Sequence, residues 1–185
     1  MSDFEFQAWP KIARLNRDIT ITEKIDGTNA AVLVGDDLSV GAQSRSRIIT
    51  PDTDNFGFAR WVRENAESLA AILGPGRHFG EWWGVGIQRR YGLTEKRFSL
   101  FNTARYGTTD FTELPQVGAV PVLYEGPFEQ YAVLSALQDL QDNGSHAAPG
   151  FMDPEGVVVF HSAAQQMFKV TIKGDEMPKS AERAA

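Results

Sequence analysis

Short β-favouring runs, each ended by glycine or a polar turn, recur along this 185-residue chain, and helical apolar spacing replaces them in only two stretches. That pattern lacks the regular strand and helix alternation of a parallel α/β sheet. It predicts an α+β domain of largely antiparallel sheets flanked by helices. Residues 19–24 (ITITEK), 30–35 (AAVLVG) and 38–43 (LSVGAQ) read as opening strands, with Asp26-Gly27 and Asp36-Asp37 as the turns between them. From Phe56 to Leu73, the apolar residues Trp61, Val62, Leu69, Ile72 and Leu73 recur at helical spacing; Asp54 or Asn55 would cap this helix and Gly74-Pro75 would stop it. Strand signals return at 77–82, 97–103 and 119–124, a second helix is expected at 127–141, and strands follow at 156–161 and 166–173.

The length suits one domain, and 42% hydrophobic residues supply a single core of ordinary size. Cysteine is absent, which excludes disulfides, thiolate zinc sites and a cysteine nucleophile. A net charge of −6 gives no global reason to expect a polyanion partner, so a nucleic-acid role would need a local basic patch. The N-terminus has no secretory pattern and no run reaches membrane-spanning length, so the expectation is a soluble, cytoplasmic protein without a membrane partner. Residues 174–185 lose apolar periodicity and read as a solvated tail.

The segment EKIDGTNA puts Lys24 at the end of a strand, just before the Asp26-Gly27 turn. A strand end holds a lysine while its amine projects into the cleft bordered by the turn, which suits a nucleophile; a surface lysine beside an ordinary hairpin is the alternative. Further motifs follow in order: AQSRSR around Arg45, FGEWWGVGIQ around Glu81, RFSLFN around Phe101, PEGVVVF around Glu155 and MFKVTIK around Lys169.

On these motifs, together with Phe56-Gly57 and PVLYEGPFEQ, the chain resembles the covalent nucleotidyltransferases, and within them the ATP-dependent RNA ligases of the RNA ligase 2-like kind. The resemblance covers about residues 20–173. It implies a nucleotidyltransferase (adenylation) domain over 1–173, with the tail 174–185 and no OB-fold or other appended domain. The implied activity uses ATP and Mg²⁺ or Mn²⁺, forms a lysyl-AMP on Lys24, passes AMP to the 5′-phosphate of an RNA, and seals it to a 3′-hydroxyl. Lys24 must attack as a neutral amine, a form favoured if the cations Lys169 and Arg45 converge on it.

By the same resemblance Arg45 would bind phosphate, with Arg47 as the competing choice. Glu81 would bond the ribose. Glu155 would stand at the metal or the reacting phosphate, where carboxylates suit a hard ion. Strand alternation puts Phe98 and Phe101 on opposite faces, so only one ring can stack on adenine, and the resemblance to the family's Phe-x-x-Phe-Asp places the stacker at Phe101; Asn102 replaces the family's aspartate beside it. Glu23 would help read the adenine edge, and Asn29 would lie near the nucleic-acid phosphate end. In the last motif the resemblance implies two phosphate-binding lysines one residue apart, whereas here Lys169, Thr171 and Lys173 alternate onto one face; Lys169 would be the principal phosphate binder and Lys173 the second lysine, displaced by one strand repeat, unless Thr171 fills that place.

The interval 77–106 has six cations against two glutamates, interleaved with Trp82, Trp83, Tyr91, Phe98, Phe101 and Tyr106. Such a mixture suits phosphate contacts and base stacking, although tryptophans after a strand also serve as core. Arg89 and Arg90 are the candidate RNA contacts. A capping-type enzyme, a DNA ligase or a silent RNA-binding module are the other readings, and the sequence leaves the oligomeric state open.

Overall fold

The computed structural model describes residues 5–173. The expected α+β architecture is present as two sheets. In the four-stranded sheet the order is β10 (Gln166–Thr171), β9 (Gly156–His161), β1 (Asp18–Lys24), β8 (Val122–Pro127). In the six-stranded sheet it is β4 (Ile48–Ile49), β3 (Val40–Ser44), β2 (Thr28–Val34), β5 (Gly76–Gly84), β6 (Lys96–Leu100), β7 (Val117–Ala119). The β6 and β7 pair is parallel, and the other described pairs are antiparallel.

Each sheet has one face under a helical layer. Ala30, Val32, Trp82, Phe98 and Leu100 pack below α1 (Phe58–Glu64) and α2 (Ala66–Leu73), where Phe58, Trp61 and Leu69 complete the core. Ile19, Ile21, Val157 and Val159 pack against Ala132, Ala136 and Leu140 of α4 (Gln130–Asn143). A smaller apolar cluster of Ile25, Trp83, Tyr91, Val120 and Ala148 fills the space around the β1–β2 turn. The faces left free of helices carry Lys24, Asn29, Glu81 and Lys169.

Three sequence expectations change. The expected helix over 56–73 is two helices, because Asn65 leaves helical geometry (φ −114°, ψ 19°) and its side chain donates to the Trp61 carbonyl at 2.8 Å. An asparagine that bonds backbone in this way ends a helix locally, although the apolar spacing continues through it. The strand over 97–103 stops at Leu100, and Asn102 instead caps the short α3 (Thr103–Tyr106) by accepting the Arg105 N–H at 3.1 Å. Finally, 119–124 is the end of β7 and the start of β8, parted at Val120-Pro121. The expected tail, 174–185, lies outside the described residues.

Candidate active site

Lys24 is the last residue of β1 and pairs with Gly156 of β9. Alternation along the paired strands puts Thr22 and Lys24 on one face with Val158 of β9 and with Lys169 and Thr171 of β10, away from α4. Lys24 Nζ donates to Glu155 Oε2 at 2.5 Å. Its contacting neighbour is thus a carboxylate rather than the cations expected from the sequence, and that carboxylate is placed to accept a proton from the amine.

The chain then crosses to the other sheet through Asp26-Gly27. A Cβ on Gly27 would stand 2.5 Å from the Trp82 carbonyl oxygen and 2.7 Å from Trp83 Cβ, so only glycine lets the turn approach β5 this closely. The approach delivers the Gly27 N–H to Glu81 Oε1 at 3.1 Å, while Glu81 Oε2 accepts from Asn29 Nδ2 at 2.8 Å across the β2–β5 pair. Burial pushes the Glu81 carboxyl up to about 7, against the opposing pull of Lys24 and of the two hydrogen bonds.

The raised value fixes a sign. Folded Glu81 holds its proton more tightly than an unfolded glutamate, so its contribution to stability is full below about pH 4.5 and is lost as pH rises through about 7. Denaturant titrations from pH 5 to 8 should show wild-type stability falling relative to Glu81→Gln by about 2 kcal/mol, on top of a pH-independent offset from the altered hydrogen bonds. Parallel pH profiles for the two proteins would exclude Glu81 as the titrating group.

Other sequence-chosen residues border the same cleft. Arg45 is exposed one residue beyond Ser44, which pairs with Ala30, so it stands at the Asn29 end of the sheet. The competing Arg47 is engaged elsewhere, donating to the Thr53 carbonyl at 3.2 Å. Phe101 follows β6, bonds the Phe79 carbonyl through its N–H at 3.0 Å, and is 38% exposed, whereas Phe98 is fully buried in the core. Of the two rings, only Phe101 is open to a ligand.

Several residues sit differently from expectation. Glu23 faces α4 and is buried; its two oxygens accept from Ser145 Oγ at 2.5 Å and the Ala147 N–H at 2.9 Å, so its carboxylate is occupied within the protein. Lys173 lies past the end of β10 and pairs with Asp153 at 3.0 Å, which removes it from the alternation shared by Lys169 and Thr171. Arg89 is bound to Asp26 and Asp153 instead of projecting toward solvent, while Arg90 beside it is exposed. Trp82, Trp83, Tyr91, Phe98 and Tyr106 are all buried, so the aromatic half of the 77–106 patch is core and only Phe101 of that set is available for stacking. The sequence does not single out Asp153, and it offers Tyr91 only as one ring of the 77–106 patch, since the partners of both come from distant segments.

The RNA ligase family model matches residues 17–171, which include Lys24, Glu81, Phe101, Glu155 and Lys169. The chain belongs to the RNA ligase family. A Naegleria gruberi RNA ligase variant solved with ATP and Mn matches this family member at TM-score 0.59 and 20% identity, over 85% of this chain and 50% of that one. A second variant, with AMP and Mn, matches at TM-score 0.60 and 20% identity over 86% and 51%; the same organism's RNA ligase with PPi matches at 0.59 and 21% over 85% and 50%. These likenesses show a shared fold, and the chain spans about half the length of those structures. No curated protein matches it. Among the described residues, no helix is long and apolar enough to cross a membrane.

Proposed function

We propose that this RNA ligase-family domain is the adenylylating core of an ATP-dependent RNA ligase with Lys24 as the nucleophile. The observation that carries the reading is the Lys24 amine held against Glu155 at 2.5 Å at the seam between two sheets. Lys24 Nζ attacks the α-phosphorus of ATP; the N–P bond forms, the bond from that phosphorus to the bridging oxygen breaks, and pyrophosphate leaves. Glu155 takes the amine proton. An oxygen of the RNA 5′-phosphate then attacks the same phosphorus, the N–P bond breaks and Lys24 leaves with the proton returned by Glu155; a 3′-hydroxyl, giving its proton to water, attacks the phosphorus of that 5′-phosphate and displaces AMP to seal the strand.

Arg45 and Lys169 bind the phosphates, Phe101 stacks on adenine, and Glu81 meets the ribose from the cleft floor. The exposed Asn29 and Arg90 serve the RNA. Glu23 acts through its buried anchoring next to Lys24, and Lys173, paired with Asp153 at the cleft rim, is a weaker phosphate ligand than Lys169. Among the described residues no three histidine, cysteine or acidic side chains group as metal ligands. Glu155 is a carboxylate and would hold a hard divalent ion such as Mg²⁺ or Mn²⁺ together with phosphate oxygens and water. Such an ion supplies charge neutralisation for the polyphosphate.

Incubation with α-labelled ATP and Mg²⁺ should give one covalent AMP per chain through an acid-labile, alkali-stable phosphoramidate, with no label from GTP. Absence of label with both Mg²⁺ and Mn²⁺ would remove the reading. Nicked RNA duplexes with 5′-phosphate and 3′-hydroxyl ends should then be joined in preference to nicked DNA.

A further inference from the structure

The β5–β6 loop has a backbone that few sequences adopt willingly. Gly86, Gln88, Arg90, Tyr91 and Gly92 all have positive φ, and three of them are not glycine. Such a conformation persists only where surrounding contacts determine it. Backbone hydrogen bonds within the loop and the buried Ile87 hold part of it, and two side chains tie it to the cleft. Arg89 Nε donates to Asp26 Oδ2 at 3.0 Å, and its Nη1 donates to Asp153 Oδ2 at 2.7 Å and to the Asp153 carbonyl at 2.9 Å. The Tyr91 hydroxyl accepts the Asp26 N–H at 2.7 Å, and the Tyr91 ring lies 4.6 Å from that of Phe151.

Both partners of Arg89 flank the reacting pair. Asp26 is two residues after Lys24, and Asp153 is two residues before Glu155. The ladder fixes Lys24 against Gly156; Glu155 lies one residue outside β9, where its carbonyl accepts the Ile172 N–H at 3.0 Å and Arg89 grips the loop leading into it through Asp153. The Arg89 side chain is only 22% exposed, and its donors already meet two carboxylates. A planar guanidinium can bridge two carboxylates in this way and a lysine ammonium cannot match the fork.

We propose that Arg89 is a positioning residue, which holds the Lys24 turn and the Glu155 loop in register for adenylyl transfer and does not contact RNA. This rests on the adenylylation reading above. Positioning acts on the chemical step, because small displacements of reacting groups cost rate without removing a substrate contact.

Single-turnover labelling with α-labelled ATP across a range of ATP concentrations tests it in the intact chain, with wild type, Arg89→Ala, Arg89→Lys and Asp153→Asn. Arg89→Ala should lower the maximal rate on the order of 10- to 100-fold while ATP half-saturation stays within about twofold. Arg89→Lys should recover only part of the loss, and adding Asp153→Asn to Arg89→Ala should cost little more than Arg89→Ala alone. Should Arg89→Ala fail to fold by circular dichroism, Arg89→Lys and Asp153→Asn carry the same rate test. A wild-type maximal rate in the folded variants, or a loss seen only in ATP half-saturation or only in RNA joining, overturns the positioning role and leaves adenylylation standing. An unlabelled wild type overturns both.

Discussion

Lys24→Ala should take up no measurable AMP from labelled ATP, a loss of at least about 1,000-fold, because no other group can form the bond that its amine forms. The more telling variant is Lys24→Arg. An arginine at the end of β1 can keep an ion pair with Glu155, yet its guanidinium stays protonated and cannot act as a nucleophile. Labelling should therefore vanish in both variants. If Lys24 served only to attract phosphate, Lys24→Arg would retain much of the activity. Stability should change little, by about 1–2 kcal/mol in Lys24→Ala, since the Lys24 and Glu155 side chains are 24% and 17% exposed and water can reach the carboxylate left behind. A variant that still carries acid-labile AMP would show that the nucleophile lies elsewhere.

Gly27→Ala should be the most damaging single methyl group that can be added to the turn. The new carbon would meet a backbone oxygen at 2.5 Å, Trp83 Cβ at 2.7 Å and Glu81 Cγ at 3.0 Å, and none of these is the loose end of a flexible side chain. Relief requires the β1–β2 turn to lift from β5, which breaks the Gly27 bond to Glu81 and moves Lys24. We expect a stability loss of about 3 kcal/mol or more, a drop in melting temperature on the order of 10 °C, and adenylylation falling on the order of 100-fold. Thermal unfolding and labelling measured on one preparation check both effects. A variant with wild-type melting and labelling would mean that the turn has slack which these distances exclude. By contrast, a Cβ at Gly118 would meet no neighbouring heavy atom within 4 Å.

What could be read from the sequence was whatever a strand's alternation and a turn's glycine determine locally. Lys24, Glu81 and Lys169 lie on strands, where the strand end beside Asp26-Gly27 and the alternation of Lys169 with Phe168 and Val170 were legible. The same rule puts Phe101 and Phe98 on opposite faces, even though the strand itself ends at Leu100, but the choice between them rests on the family motif. Lys173 escaped because alternation was carried past the true end of β10. Arg89 escaped for another reason: its partners are 63 and 64 positions away, and local composition describes a basic, aromatic segment in the same terms whether it faces solvent or core. Five of the six aromatic rings face inward, and nothing local to 77–106 states that. The Asn65 break was hidden by apolar spacing that runs straight through it.

Glu23 and Lys24 are neighbours on one strand and therefore point to opposite faces of it. The glutamate is clamped by Ser145 and Ala147, in a loop 122 residues downstream that touches no reacting atom of the proposed chemistry. For anyone altering this protein, the loop after α4 is consequently no free insertion site, although it looks like a surface connection. Shortening it, or replacing Ser145, would strip a buried carboxylate of its donors one residue from Lys24. The tolerant positions for tags or grafted segments should be sought elsewhere, and loop 144–148 should be inherited unchanged with the strand that it secures.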